Sequence, residues 1–224
     1  MKIQFLKNKK YWFVVVALVV LLVALFVISN MFTQDSLPKG QIIESQTNET
    51  GWKTYINSKY NFQIDFPDGW NISETEEGST PIINIYKMKF NLKPPFDHFS
   101  DVDAISIFPQ GIETEALIGE VVESDLQSDQ PIENKRDYVL DNGEVWATYI
   151  TFTKVPGSWR AWGSVWARTQ IKEVEFSCIR DEEKILIEKC NPFGGDIFIR
   201  SGSVNQKIVD IQRTILESFK FIKD

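Results

Sequence analysis

Tyr55-Ile56-Asn57-Ser58-Lys59-Tyr60-Asn61-Phe62-Gln63-Ile64-Asp65-Phe66-Pro67-Asp68-Gly69-Trp70 is the stretch whose reading decides the fold. Phe62, Ile64 and Phe66 alternate with Gln63 and Asp65, a period of two that puts three large apolar groups on one face of a strand. Trp52–Ile56 reads as its partner, joined through the polar Asn57-Ser58-Lys59. Pro67 presets φ for a tight turn and Gly69 tolerates an unusual one, so the strand stops there and Trp70 folds back onto the sheet.

Outward from this hairpin, strands are expected at Ile82–Met88 and Ala104–Phe108. Thr114–Asp125 reads as a short helix with Leu117, Ile118, Val121 and Val122 on one face, weakened by Gly119. Tyr138–Leu140 and Val145–Thr153 flank Asp141-Asn142-Gly143-Glu144, and Asn-Gly is a strong hairpin signal. Trp146, Thr148, Ile150 and Phe152 would share a face of that hairpin. Further strands are expected at Val165–Ile171 and Glu173–Arg180. Ile208, Ile211, Ile215 and Phe219 recur at helical spacing while Lys207, Asp210, Arg213 and Glu217 face away. Ser203 with Gln206 three residues on matches a capping box. Antiparallel hairpins with two or three amphipathic helices predict an α+β domain.

The N-terminus is of another kind. Trp12–Ile28, WFVVVALVVLLVALFVI, is 17 residues without a charge. As a helix it is roughly 26 Å long, close to the ~30 Å hydrocarbon core of a bilayer. Lys2, Lys7, Lys9 and Lys10 precede it, which the positive-inside rule reads as a cytoplasmic N-terminus. The apolar run exceeds a signal-peptide core, no A-x-A site follows, and no cysteine sits where a lipoprotein needs one. The expected organisation is a basic stub at 1–10, a transmembrane signal anchor at 11–29, a polar linker at 30–51 and an extracytoplasmic domain at 52–224.

Charge divides along the same line. The 224 residues carry a formal −7. The first 29 contribute +4 from their four lysines, leaving −11 on the remaining 195. An acidic domain argues against nucleic acid as a partner, because phosphate contacts need a basic face. One histidine excludes a polyhistidine metal site.

Tyr55-x-Asn57-x-x-Tyr60-x-Phe62-x-Ile64-x-Phe66-Pro67-x-x-Trp70 resembles the opening hairpin of PsbP-like domains, and Ile215-Leu216-Glu217-Ser218-Phe219-Lys220-Phe221 resembles their closing helix and its exit. The resemblance covers about thirty residues at the two ends of the domain. It implies an antiparallel sheet sandwiched by helices, and it implies kinship with exported, membrane-tethered bacterial proteins without known activity. The aromatic residues of both motifs are core residues in that reading, and no catalytic residue transfers, since one fold hosts unrelated functions.

The chain contains no nucleophile elbow, zinc-protease motif, Walker loop or dinucleotide fingerprint. Gly194-Gly195 after Asn191-Pro192-Phe193 reads as a turn, and His98 beside Asp97 as part of a loop. Asp97, Asp101 and Asp103 lack the register of a calcium loop and read as a solvated acidic stretch. Asn48 and Asn71 sit in glycosylation sequons, which matter only where that machinery exists. Cys178 and Cys190, both in the exported part, are candidates for a disulfide closing a thirteen-residue loop, worth roughly 3 kcal/mol on the chain-entropy model. A simple hairpin turning at Asp181–Lys184 would oppose Cys178 to Ile187, so the alternative of two separate buried thiols stays open.

Trp159, Arg160, Trp162, Trp166 and Arg168 form the candidate binding surface, because aromatic faces stack on sugars and pair with cations. The competing reading sends Trp162 and Trp166 into the core and leaves Trp159 capping a loop. Together these features predict a single-pass cell-membrane protein presenting a non-catalytic binding or assembly module outside the cell, with no cofactor, no metal and an envelope protein or glycan as partner. The alternatives are an envelope hydrolase or transferase whose site no local motif reveals, and a cell-wall glycan binder using Trp159, Trp162 and Trp166.

Overall fold

The computed structural model describes residues 41–43, 51–77, 80–87, 103–111 and 119–222. The chain divides into Met1–Pro38 and Lys39–Asp224, and every described residue belongs to the second unit. Trp12–Ile28 lies outside the described residues, among which no helix is long and apolar enough to cross a membrane.

Three antiparallel sheets and one α-helix make up the described residues, a mostly-β architecture. The first sheet runs β1 (Gln41–Ile43), β2 (Trp52–Asn57), β3 (Phe62–Pro67) and β14 (Lys220–Phe221). β2 and β3 are the opening hairpin, with Tyr55 opposite Ile64 and Asn57 opposite Phe62. Within the segment read as a featureless linker, Gln41–Ile43 instead forms the edge strand on β2. The second sheet contains β4 (Asn71–Glu77), β5 (Thr80–Tyr86), β6 (Ala104–Phe108), β10 (Ser164–Arg168), β9 (Val145–Phe152), β8 (Ile132–Val139) and β7 (Glu120–Glu123), in that spatial order. The third is β12 (Glu183–Ile185), β11 (Ile171–Arg180) and β13 (Ile197–Val204).

Period-2 alternation sorts the second sheet into two faces. Ile83, Ile85, Ile105, Ile107, Ile150, Phe152, Val165 and Ala167 point one way and meet Tyr55, Phe62, Ile64 and Phe66 of the first sheet. The helix α1 (Gln206–Ser218) lays Ile208, Ile215 and Leu216 into the same core. Ile82, Phe108, Tyr138, Trp146, Ala147 and Trp166 point the other way, against Ile171 at the root of the third sheet. β6 and β10 are buried on both faces, which explains why AISIF and SVWAR alternate weakly in sequence.

The ends of the domain are closed by rings. Phe219 stacks on Phe62 at 5.5 Å and on Phe152 at 5.2 Å, and Phe221 meets Phe152 edge-on at 4.9 Å. Ser218 Oγ accepts the Asp65 N–H at 2.9 Å, fixing the helix end to β3. A half-buried ion pair pins the middle of α1: Arg213 Nη2 reaches Asp137 Oδ2 at 2.7 Å, and the Thr148 hydroxyl donates to Asp137 Oδ1 at 2.6 Å.

Several sequence readings change. Residues 120–123 are a strand on β8 and not the end of a helix; Val121 and Val122 are β-branched and half-exposed, and β8 supplies the backbone partners. Of the rest of that expected helix, Gly119, Ser124 and Asp125 are not helical and residues 114–118 lie outside the described residues. The strands expected at Val165–Ile171 and Glu173–Arg180 fall in different sheets: β10 joins β6 and β9, while β11, which begins at Ile171, joins β12 and β13. Trp146 leaves the face of Ile150 and Phe152, because a register shift near Val139–Val145 makes it an extra residue and turns it to the opposite side. Ser203 cannot cap α1, since it lies in β13 opposite Lys172; Asn205 holds the N-cap position without a side-chain bond.

Replacing Phe219 with Ala removes a ring shared by Phe62, Phe152 and Trp159, and should cost about 3–5 kcal/mol. Urea unfolding of the full chain measures this; a loss under about 1 kcal/mol would contradict the ring cluster as the closing element.

Candidate functional site

Two features stand out from the compact body, and the loop after β9 builds the first. Thr153–Gly163 begins with a turn in which the Trp159 N–H donates to Pro156 O at 2.9 Å. Trp159 is 5% exposed, meets Phe62 and Phe152 edge-on, and donates its indole N–H to Tyr60 O at 2.6 Å. With Trp159 anchored inside, a second turn closes from the Gly163 N–H to Arg160 O at 2.9 Å, and Trp162 is left outside at 61% exposure. Its indole N–H donates to Gln110 O at 2.9 Å. The ring lies against Gly111, whose φ of +72° favours glycine and where any Cβ would collide with the indole. Arg160 Nε donates to Gln110 Oε1 at 3.0 Å, Gln110 Nε2 donates to Ser158 O at 2.6 Å, and the guanidinium sits 6.0 Å from the Trp162 ring.

The five residues expected to form one binding surface therefore separate. Trp162 and Arg160 are together and exposed. Trp159 belongs to the main core, and Trp166 lies on the other face of the second sheet between Phe108 and Tyr149, each 5.4 Å away. Arg168 is 3% exposed; its Nη2 donates to Ser106 Oγ at 2.6 Å, and Ser106 donates in turn to Asn84 Oδ1 at 2.6 Å. Burial pushes the Arg168 guanidinium pKa down. The competing reading is also corrected at Trp162, which precedes β10 instead of lying in it. Gln110 and Gly111, the seat of the exposed indole, carried no motif; only contact across fifty residues reveals them.

The second feature is the arm formed by the third sheet. A register shift between Lys172 and Glu175, with Glu173 at φ 53°, bends β11 away from the body. Gly202 allows β13 to cross that bend, for a Cβ there would press within 2.7 Å of Lys172 O. At the root, Arg200 lies 4.0 Å over the Trp146 ring and within 6 Å of Phe176 and Phe198, a cation–π seat in which burial pushes its pKa down to about 10. The Asn142-Gly143 turn covers part of the free edge of β13: the Asp141 N–H donates to Arg200 O at 3.0 Å and the Val204 N–H to Glu144 Oε2 at 3.0 Å.

At the tip, Cys178 and Cys190 are disulfide-bonded with Cα atoms 5.8 Å apart. The hairpin turns tightly through Asp181 and Glu182, both at positive φ, so Cys178 opposes Ile185 instead of Ile187. A 3-10 turn at Ile187–Lys189 then folds Cys190 back over the sheet. Asp196 completes the clasp, accepting from Arg180 Nε at 2.8 Å and from the Asn191 N–H at 2.7 Å. Those bonds, Arg180 first, hold its carboxyl below the usual range. Sequence reading passed over the arm's surface: Phe176, Leu186, Ile187, Phe193 and Ile197 are five of the eight exposed large apolar residues among the described residues. The run Ile185-Leu186-Ile187 directly after a charged turn was the available signal.

Asp97, His98 and Asp101 lie outside the described residues. Asp103 is occupied structurally, accepting from the Thr169 hydroxyl and the Gln170 N–H, each at 2.9 Å. Asn71 begins β4, and Gly194-Gly195 ends a 3-10 turn. The cleft between α1 and the second sheet, lined by Trp146, Thr148, Gln212 and Arg213, has room for about 10 Å³, roughly one water, far below the ~300–1,000 Å³ of small-molecule pockets.

Amide exchange should separate arm from body. Reducing the disulfide should speed exchange across 176–197 while 62–66 stays protected. Acid should act in the same direction: a carboxyl depressed in the folded state stabilises at pH above its unfolded value, about 3.9, and that contribution is lost as pH falls through the folded pKa. Equal acceleration of arm and body would contradict a separately clasped arm. In comparisons with known proteins, the chain matches no protein-family profile, no curated protein and no solved structure.

Proposed function

We propose that this chain is a membrane-tethered, extracytoplasmic binding or assembly module that docks an envelope protein through its disulfide-closed arm. The observation that carries the reading is the arm's surface. Five large apolar side chains are exposed within residues 176–197, Phe193 at 70%. They sit on both faces of the sheet, Phe176 on the face of Cys178 and Ile197 on that of Ile179, and large apolar groups left exposed on one element mark interaction surfaces. Residues 181–189 carry Asp181, Glu182, Glu183 and Glu188 against Lys184 and Lys189, an acidic balance that disfavours anionic lipid as the occupant and suits a protein partner.

The compartment is inferred from two independent features. A lysine-led apolar run at 12–28 suits an uncleaved anchor with the N-terminus in the cytoplasm. A disulfide at the arm's tip suits an oxidising space outside it. Kinship with PsbP-like domains is part of the proposal, and the helix-sandwiched form of that fold with it. It is supported by the meeting of the two resembling stretches, where Phe62 of the opening hairpin stacks on Phe219 at the helix exit.

Photocrosslinking in native membranes tests the proposal. A probe at Phe193 should give a discrete protein adduct, and one at Lys207, exposed on α1, should not. Leu186→Ser combined with Ile197→Ser should abolish the adduct while shifting stability by no more than about 0.5 kcal/mol, as exposed substitutions do. Lipid adducts alone, or equal adducts from both probes, would overturn it.

A further inference from the structure

We propose that Trp162 and Arg160 form a binding site for an acidic sugar, the indole carrying the pyranose ring and the guanidinium its carboxylate. This goes beyond the docking role of the arm and stands on a different part of the surface.

The indole is flat, exposed and held. Its N–H is committed to Gln110 O, the ring rests on Gly111 and Arg160 lies 6.0 Å over it, so the ring has one orientation before any ligand arrives. A pre-set aromatic face loses little entropy on binding, which is why such platforms give useful affinity from a small area. A lone flat ring with polar neighbours suits a ligand that is itself a flat ring with one apolar face and polar edges. A sugar has that shape; an aliphatic side chain would need a pocket.

Arg160 decides the charge of the ligand. Gln110 holds its Nε, and that amide is itself fixed by Ser158 O, so the guanidinium is positioned from behind. Its two Nη groups make no hydrogen bond or ion pair among the described residues, although the chain is acidic overall. A positioned guanidinium fork matches a carboxylate bidentately. The local sequence agrees. Val145–Lys172 contains Lys154, Arg160, Arg168 and Lys172 and no Asp or Glu, in a chain with 31 acidic residues. The loop that presents Trp162, residues 153–163, holds Lys154 and Arg160 and no acid, which favours an anion there.

The test uses the full chain in an uncharged detergent without a sugar headgroup. All seven tryptophans are replaced by 5-fluorotryptophan, and Trp162 is assigned by the fluorine signal missing in Trp162→Phe. A uronic acid tetramer and N-acetylmuramic acid are titrated beside a neutral N-acetylglucosamine tetramer and tetraglutamate. The expected result is that the acidic sugars shift the Trp162 signal alone, at least about tenfold more tightly than the neutral sugar, with affinity falling as salt rises. Arg160→Gln should bring acidic and neutral sugars to the same weak affinity, and Trp162→Ala, titrated by calorimetry because it lacks the reporting signal, should remove binding of both. The six other signals report whether each variant is folded. No shift with either acidic sugar, equal binding of the neutral one, or equal binding of tetraglutamate would overturn the proposal, the last identifying a carboxylate site for peptides.

Discussion

The ring cluster of Phe62, Phe152, Trp159, Phe219 and Phe221 is the contact on which the rest of the domain depends. It joins the opening hairpin, the centre of the large sheet, the long loop after β9 and the exit of α1, with centroids 4.9–6.1 Å apart along its contacts. Aromatic pairs at such spacings add about 0.5–1.5 kcal/mol each beyond the area they bury. The cluster also does something no strand pairing does. By drawing Trp159 inward it sets the loop that follows, and Trp162, three residues on, is turned out onto Gly111. The core and the exposed indole are two consequences of one anchored side chain.

A second constraint operates on the far face of the large sheet. There the apolar cover is incomplete, and Asn84, Ser106 and Arg168 run as a hydrogen-bonded chain through a buried layer. Such a chain is costly if broken and specific if kept, and it is satisfied only in part, since Asn84 Nδ2 has no hydrogen-bond partner among the described residues. The arm leaves the body beside this layer, rooted by Arg200 over Trp146. Its bend needs Glu173 at positive φ and Gly202 across from it, and its tip needs two successive acidic residues at positive φ. The disulfide and the Arg180–Asp196 pair offset that strain, so an exposed apolar surface is presented on a clasped frame.

Much of this was legible in the sequence. The opening hairpin, the Asn-Gly hairpin, the strand at Ala104–Phe108 and the apolar stripe of α1 all follow from period and turn chemistry, because each is a local decision. The cysteine pair was legible as a candidate from compartment, while its geometry was not. The two-residue turn at Asp181-Glu182 uses residues that rarely take positive φ, and the fold-back of Cys190 depends on a short 3-10 turn. Trp146 was misplaced because a bulge reverses alternation without marking itself in composition. Val121 and Val122 fit helical spacing as well as a strand, and pairing with β8 settled the choice. Of the candidate surface, Trp162 and Arg160 lie exposed side by side. Their separation from Trp159, Trp166 and Arg168 is tertiary, set by which indole the ring cluster takes.

The central claim is that the disulfide-closed arm is a docking element covered by a partner in the membrane. Hydrogen exchange on the full chain, in native membranes and again after extraction into detergent, tests it most directly. The account predicts that amides of 176–197 exchange slowly in membranes and quickly after extraction, while those of 62–66 are protected equally in both. Identical exchange of the arm in the two states would contradict it.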